Sequence, residues 1–336
     1  MQRITIDGEH LTIEEIVAVA RHGAEVTLAP AACEAIQTSH QWIEDIIDRG
    51  EPVYGINTGF GVFAEKRIPP KESAQLSRNL ILSHAVGTGA PLPDEVVRAA
   101  ILVRANTFAK GCSGIRVEVV ETLIALLNKN VTPIIPSQGS LGSSGDLAPL
   151  SHVALVFTTD AKDLDSESGL ARYDGEIISG KAAMERAGIE RVVLGAKEGL
   201  ALSNGATFSA AMGALVVHDA ETLLHTGEVS LAMSLEAMMG CSASFDDRLH
   251  QARGLKGQIE VAKSVRALTL GSSLLNKCGR VQDAYSLRCA PQIQGICWDT
   301  LAFVRDVIET EINAATDNPL LFEPGVPLSG GNFHGE

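Results

Sequence analysis

The sequence predicts a mainly α-helical protein: one domain over residues 1–204 and, after a soft boundary near 205, the first part of a long helical bundle over 205–336. Three observations carry this. Aromatic residues make up only 4% of the chain while Ala, Leu and Val fill periodic segments, which suits closely packed helices. Apolar residues recur at helical spacing between start and stop signals. Two later stretches, "ATFSAAMGALVVHDAETLLHTGEVSLAMSLEAMMG" and "PQIQGICWDTLAFVRDVIETEINAATDN", have few breakers and exceed ordinary helix length. Taken in order, Thr12 stands three residues before Glu15 in a capping-box pattern, and Ile13, Ile16, Val17 and Ala20 follow up to Gly23. A second helix starts on Pro30 and stops at Gly50. Residues 51–62, with Gly55, Gly59 and Gly61, break the pattern and form a loop carrying Tyr54. Helical patterns return over 71–86, 93–109 and 114–128. The stretch "NVTPIIPSQGSLGSSG" is expected to hold no regular element, since Pro133 and Pro136 lack the N–H donor, and Asp146 then caps a helix from Leu147. Residues 159–180 are polar and read as an exposed excursion with a short hairpin. No internal repeat of fixed period is present.

A chain of 336 residues with 45% hydrophobic content can bury a sizeable core. Its 27 basic against 41 acidic residues give −14, which argues against nucleic acid and anionic membrane surfaces and leaves a small molecule as the default partner. The N-terminal sequence has no apolar h-region, and no run approaches the roughly 18 apolar residues of a membrane span. A cytoplasmic protein is expected. Six cysteines without C-x-x-C spacing read as reduced, buried thiols, and nine histidines without H-x-x-x-H pairing give no reason to expect a metal.

The chemistry concentrates at Gly139–His152, "GSLGSSGDLAPLSH". A phosphate loop wants a lysine after its last glycine, but Gly145 is followed by Asp146, which would repel the ligand. No buried strand precedes a G-x-G-x-x-G pattern, so a dinucleotide loop is also disfavoured. A flexible turn is the bland alternative. The third reading is a self-modifying backbone. Attack of the Gly145 nitrogen on the Ser143 carbonyl carbon closes a five-membered ring, and loss of water followed by dehydration of Ser144 gives a conjugated methylidene. Glycine at the attacking position permits so tight an approach because it lacks a Cβ.

This segment resembles the signature of the aromatic amino acid ammonia-lyases, most closely the histidine ammonia-lyase branch. "YGINTGFG" (54–61), "LILSHAVGTG" (80–89), "KGCSGIR" (110–116), "EGLALSNG" (198–205), "QDAYSLR" (282–288), "TDNPLLF" (316–322) and "GGNFHGE" (330–336) resemble family segments in the family's order. The resemblance implies a fumarase/aspartase-like superhelical fold with the loop in the N-terminal domain, and the prosthetic group 4-methylidene-imidazol-5-one (MIO) formed from Ser143, Ser144 and Gly145. The family's usual triad is Ala-Ser-Gly, and Ser143 departs from it at a side chain outside the ring. It further implies no metal or external cofactor, Tyr54 as the general base and Tyr285 as a second catalytic tyrosine. Substrate contacts fall to His84, Asn204, Gln282, Arg288 and Phe333, and loop support to Asp146. His84, in an apolar segment, favours histidine as substrate, hence trans-urocanate and ammonia as products; phenylalanine or tyrosine lyases and aminomutases are the variants. Gln282, Tyr285 and Arg288 are expected on one helical face. Family members continue well beyond "NFHGE", so the C-terminal remainder of the bundle is expected to be missing, and the family's homotetramer, or a complementary C-terminal chain, is expected to complete the site. A non-catalytic remnant is the alternative of another class.

Overall fold

The computed structural model describes residues 2–59 and 61–335; Phe60 and Glu336, inside two of the motif segments above, lie outside the described residues, as does Met1. The fold is mainly helical, as the composition predicts. It divides into one unit of Met1–Leu215 with Glu309–Glu336 and a second of Val216–Ile308.

In the first unit the capping box forms: Thr12 Oγ1 accepts from Glu15 N (3.2 Å) and Glu15 Oε2 accepts from Thr12 N (3.0 Å), starting α1 (Ile13–His22). Helix α2 (Pro30–Arg49) begins on proline and ends at the left-handed Gly50. Helices α3 (Ser73–His84), α4 (Asp94–Ala109), α5 (Val117–Asn128) and α6 (Leu147–Phe157) lie within the expected spans. They are followed by α7 (Gly180–Ala187), α8 (Glu198–Ser203) and α9 (Thr207–Ala237). Helix α4 forms the centre of this unit: every residue from Val97 to Ala109 is buried, under α1, α2 and α5. Each large apolar side chain so enclosed contributes about 1.5–3 kcal/mol. Two of its polar residues are matched: Arg98 donates to Val19 O and Leu127 O, and Asn106 donates to Ile312 O (3.0 Å) while accepting from Gly8 N (2.9 Å).

The small sheets depart from the sequence reading. Arg3–Ile6 and Glu25–Leu28 pair in parallel, each too short to show a two-residue period. The stretch expected to hold no regular element contains two short strands. Thr132–Pro133 pairs with Leu170–Tyr173, and Pro136–Gln138 pairs antiparallel with Thr88–Pro91. Proline is accommodated because each sits at the end of a short strand. The hairpin expected within 159–180 is Leu170–Tyr173 against Glu176–Ser179.

The second unit contains α10 (Asp247–Arg253), α11 (Lys256–Leu268), α12 (Tyr285–Arg288) and the first part of α13 (Ala290–Glu311). Leu231, Leu235, Phe245, Val261, Val265 and Leu287 form its core. Gly257 and Gly295 let α11 and α13 approach backbone to backbone, where a Cβ at either would strike the other helix. Leu223, Met233, Ile293 and Phe303 are exposed. After α13 the chain returns to the first unit, where Asn313 Oδ1 accepts from Leu11 N (2.8 Å) and Leu321 N donates to Cys112 O (2.8 Å).

Candidate active site

The loop of residues 139–146 is folded on itself and against the start of α9. Gly145 N donates to Gly142 O (3.1 Å), and Ser143 and Gly145 are bridged backbone to backbone. Gly145 has φ +81° and lies flat against Gly205, itself at φ +135°; a Cβ on Gly145 would fall on the Gly205 backbone. Asp146 N donates to Gly205 O (2.8 Å), and Gly335 N donates to Gly142 O (3.0 Å). Asn204, 4% exposed, donates from Nδ2 to Ser144 O (2.7 Å), and its Oδ1 has no partner among the described residues. Ser143 is exposed, so its hydroxyl adds no buried polar group.

Asp146 supports the loop by a route different from the one expected. It occupies the N-cap position of α6, but its side chain makes no bond to that helix. The carboxylate instead accepts from Phe208 N (2.7 Å) and Ser209 N (3.0 Å), so it caps α9, whose terminal N–H groups and dipole favour an anion. Ser140 Oγ donates to the same carboxylate (2.8 Å). One side chain thus joins both ends of the loop to a different helix.

Behind the loop lies a set of buried charges that the sequence reading did not single out. Arg104, 2% exposed on α4, donates from Nη2 to Asn204 O (2.8 Å), while its Nε and Nη1 have no partner among the described residues. Burial pulls its pKa down to about 10, opposed by the charges of Asp317 and Asp146. Lys197 and Asp317 form a fully buried ion pair, and Asp317 Oδ1 also accepts from Ser113 Oγ (2.7 Å). The signal for Arg104 was present: it is a lone cation inside the apolar run "AAILVRANTFA".

A cavity of about 170 Å³ opens over the loop, lined on one side by Ser143, Ser144 and Gly145 and on the other by Ser83, His84 and Val86. His84 is therefore brought to the same cavity as the loop. Its Nδ1 lies 2.9 Å from Leu80 O and 3.0 Å from Ser83 Oγ, so the tautomer that satisfies Leu80 O carries the proton on Nδ1 and leaves Nε2 an acceptor. His152 Nε2 accepts from Gly87 N (3.0 Å), which holds the chain after α3 against α6.

Tyr54 does not line this cavity. It is half-buried in a turn whose Gly55 packs on Leu200 and Pro319. Phe333, half-buried, belongs to the segment that reaches the loop through Gly335. Gln282, Tyr285 and Arg288 lie in the second unit. They do not share one helical face: α12 is a single turn starting at Tyr285, and Gln282 sits in the bend before it. The bend arises because Asp283 turns its carboxylate to Cys241 N (2.5 Å) and Arg280 Nη2 (2.9 Å). The Arg288 guanidinium stacks 4.4 Å over the exposed Tyr285 ring.

Residues 11–336 match the family described as aromatic amino acid lyase. The chain is 48% identical over 339 residues to the histidine ammonia-lyase of Caldanaerobacter subterraneus subsp. tengcongensis, an alignment covering 100% of this chain and 65% of that protein. It is 46% identical to the histidine ammonia-lyase of Treponema denticola, covering 99% of this chain and 64% of that one. Among solved structures, histidine ammonia-lyase from Trypanosoma cruzi superposes with a TM-score of 0.89 at 38% identity, over 100% of this chain and 62% of that chain. Tyrosine aminomutase from Streptomyces globisporus does so at 0.91 and 35%, over 99% and 65%. This chain spans about 65% of the length of the first of these curated relatives.

Proposed function

The chain belongs to the aromatic amino acid lyase family, and from that premise we propose that it eliminates ammonia from an aromatic L-amino acid, L-histidine first, giving trans-urocanate through MIO formed from Ser143, Ser144 and Gly145. The observation that carries the reading is the loop itself: Gly145 is held at left-handed φ, flat on Gly205 where no Cβ fits, with the Ser144 carbonyl hydrogen-bonded by Asn204 Nδ2 at 2.7 Å. These residues fit the group. Compression of this kind favours ring closure by pre-orienting the reacting atoms, and MIO supplies an electrophile in the electron-sink role that pyridoxal phosphate fills elsewhere.

The chain's own groups take the remaining roles. Asn204 Nδ2 draws electron density toward the Ser144 oxygen, and the buried Arg104 fixes Asn204 by its main-chain oxygen. The unpartnered Asn204 Oδ1 is an acceptor suited to the substrate ammonium, which leaves the carboxylate to Arg288, whose planar fork matches it. His84, with Nε2 as acceptor, pairs with an N–H of a substrate imidazole, which supports histidine over phenylalanine. Tyr54 is assigned proton removal from the β-carbon, with Tyr285 and Gln282 completing the pocket and Phe333 packing beside the loop. We assign the assembled enzyme a homotetramer, in which residues of different subunits meet, and a cytoplasmic site; no described helix is long and apolar enough to cross a membrane.

Two measurements test the proposal. Intact-mass analysis of the purified chain should show the loss of two waters, and product analysis should show urocanate in preference to cinnamate or coumarate. Unmodified mass in assembled protein, with none of the three products, overturns the reading in favour of a non-catalytic chain.

A further inference from the structure

We propose that Cys241 and Cys278 are a redox-responsive thiol pair, an oxidation site whose disulfide would tie the segment leading into α12 to the turn that follows α9. The two Sγ atoms lie 3.9 Å apart across 37 residues of sequence, and both cysteines are half-buried and therefore open to a small oxidant. A disulfide needs its sulfurs about 2.05 Å apart, so closure asks for a movement of about 2 Å, within reach of side-chain rotation. The backbones on either side are already held together. Asn276 N donates to Gly240 O (2.8 Å), Ser242 N to Asn276 Oδ1 (2.9 Å), Arg280 Nη2 to Met238 O (3.0 Å) and Cys241 N to Asp283 Oδ2 (2.5 Å).

A metal ion is the competing occupant, since Asp283 completes a three-residue cluster with the two thiols. The geometry favours the bridge. Both Asp283 oxygens are committed, Oδ2 to Cys241 N and Oδ1 to Arg280 Nε and Nη2, and the Arg280 guanidinium next to the thiols opposes a cation. Soft-metal structural sites close with four ligands, and only two sulfurs are offered here. Desolvation, then the hydrogen bond with Cys278 and the charge of Asp283, raise the Cys241 thiol pKa, so thiolate is scarce at neutral pH and bridging accelerates as pH rises.

The step is a two-electron oxidation. Two S–H bonds break and one S–S bond forms; both electrons and both protons pass to the oxidant, hydrogen peroxide giving two waters or a small-molecule disulfide giving two thiols. Its consequence rests on the function proposed above: Cys278, Arg280 and Asp283 lie in the segment that leads directly into Tyr285 and Arg288, so fixing it alters substrate KM while leaving the loop at 143–145 untouched.

The test treats the full chain with hydrogen peroxide and, separately, oxidised glutathione, followed by thiol titration and non-reducing peptide mapping. The expected result is loss of two titratable thiols, one linked peptide pair joining Cys241 to Cys278, reversal by dithiothreitol, and a shifted KM for histidine. Cys278→Ser and Cys241→Ser should each abolish the linked pair and the KM shift while keeping basal activity. Bridges to other cysteines, oxidation without a bridge, or protection of both thiols by one equivalent of zinc with no bridge formed would overturn the proposal. A mapped bridge with unchanged KM overturns its consequence for α12. Thiol mapping reads the pair whether or not the two-water mass deficit is present, so failure of the functional reading is seen separately.

Discussion

Replacing Asp146 with asparagine removes a buried charge while keeping the side chain's shape. The carboxylate is 3% exposed and accepts two main-chain N–H groups of α9 at 2.7 and 3.0 Å and the Ser140 hydroxyl at 2.8 Å. Hydrogen bonds to a charged acceptor are worth about 1.5–3 kcal/mol against about 0.5–1.5 for neutral ones, and an anion at a partly buried helix N-terminus adds up to about 2 kcal/mol. Asparagine keeps one acceptor oxygen for the N–H groups, and it avoids the desolvation cost of the carboxylate, which offsets part of the loss. The net expectation is a destabilisation of about 2–3 kcal/mol, or a fall in Tm of about 5–10 °C for a unit of this size. Because Asp146 N also bonds Gly205 O, loosening α9 at this point releases the surface on which Gly145 is pressed. Calorimetry should therefore show the lower Tm, and intact mass a reduced fraction of chains lacking two waters. An Asp146→Asn protein with unchanged Tm and a complete mass deficit would refute the argument that this carboxylate, through α9, holds the loop.

Gly145→Ala and Ser144→Ala should both lack the two-water deficit but differ in stability: alanine at φ +81° against the Gly205 backbone lowers Tm, whereas the half-buried Ser144 loses only its hydroxyl and leaves Tm nearly unchanged. Lys197→Met leaves Asp317 buried with Ser113 Oγ as its remaining side-chain donor and should cost about 3–5 kcal/mol in urea unfolding; Lys197→Met with Asp317→Leu should recover part of that loss. Burial lowers the His152 pKa below its ordinary value, and its Nε2 accepts from Gly87 N, so the folded state holds it neutral. The unfolded chain then binds the extra proton: stability is flat above about pH 6.5 and falls as pH drops from there toward the folded pKa. His152→Gln should reduce that slope in thermal melts taken across the interval.

The helices were legible where local chemistry decides them. The Thr12 and Glu15 box, the Pro30 start and the Gly50 stop each act within one turn, and the structure places α1 and α2 on those signals. The strand pairs were hidden because partners such as Thr88–Pro91 and Pro136–Gln138 lie far apart in sequence, and two to four residues show no period. At the site, the loop was legible because glycine, serine and aspartate there have few bland explanations. What Asp146 caps was not: its partners Phe208 and Ser209 are more than sixty residues away, and only the tertiary fold decides between the adjacent α6 and the distant α9. Arg104 and the Lys197–Asp317 pair illustrate the same limit, since each is defined by what surrounds it in space.

The cavity is lined by the bent loop, including Ser143, Ser144 and Gly145, and by Ser83, His84 and Val86. A Cβ on Gly145 would fall on the Gly205 backbone and one on Gly205 would strike Arg104 and Thr316, so neither glycine is free to diversify alone. Retuning of the pocket toward a different aromatic ring is thereby channelled to the facing positions, Ser83, His84 and Val86, where substitution alters shape and polarity without touching the backbone that must stay bent.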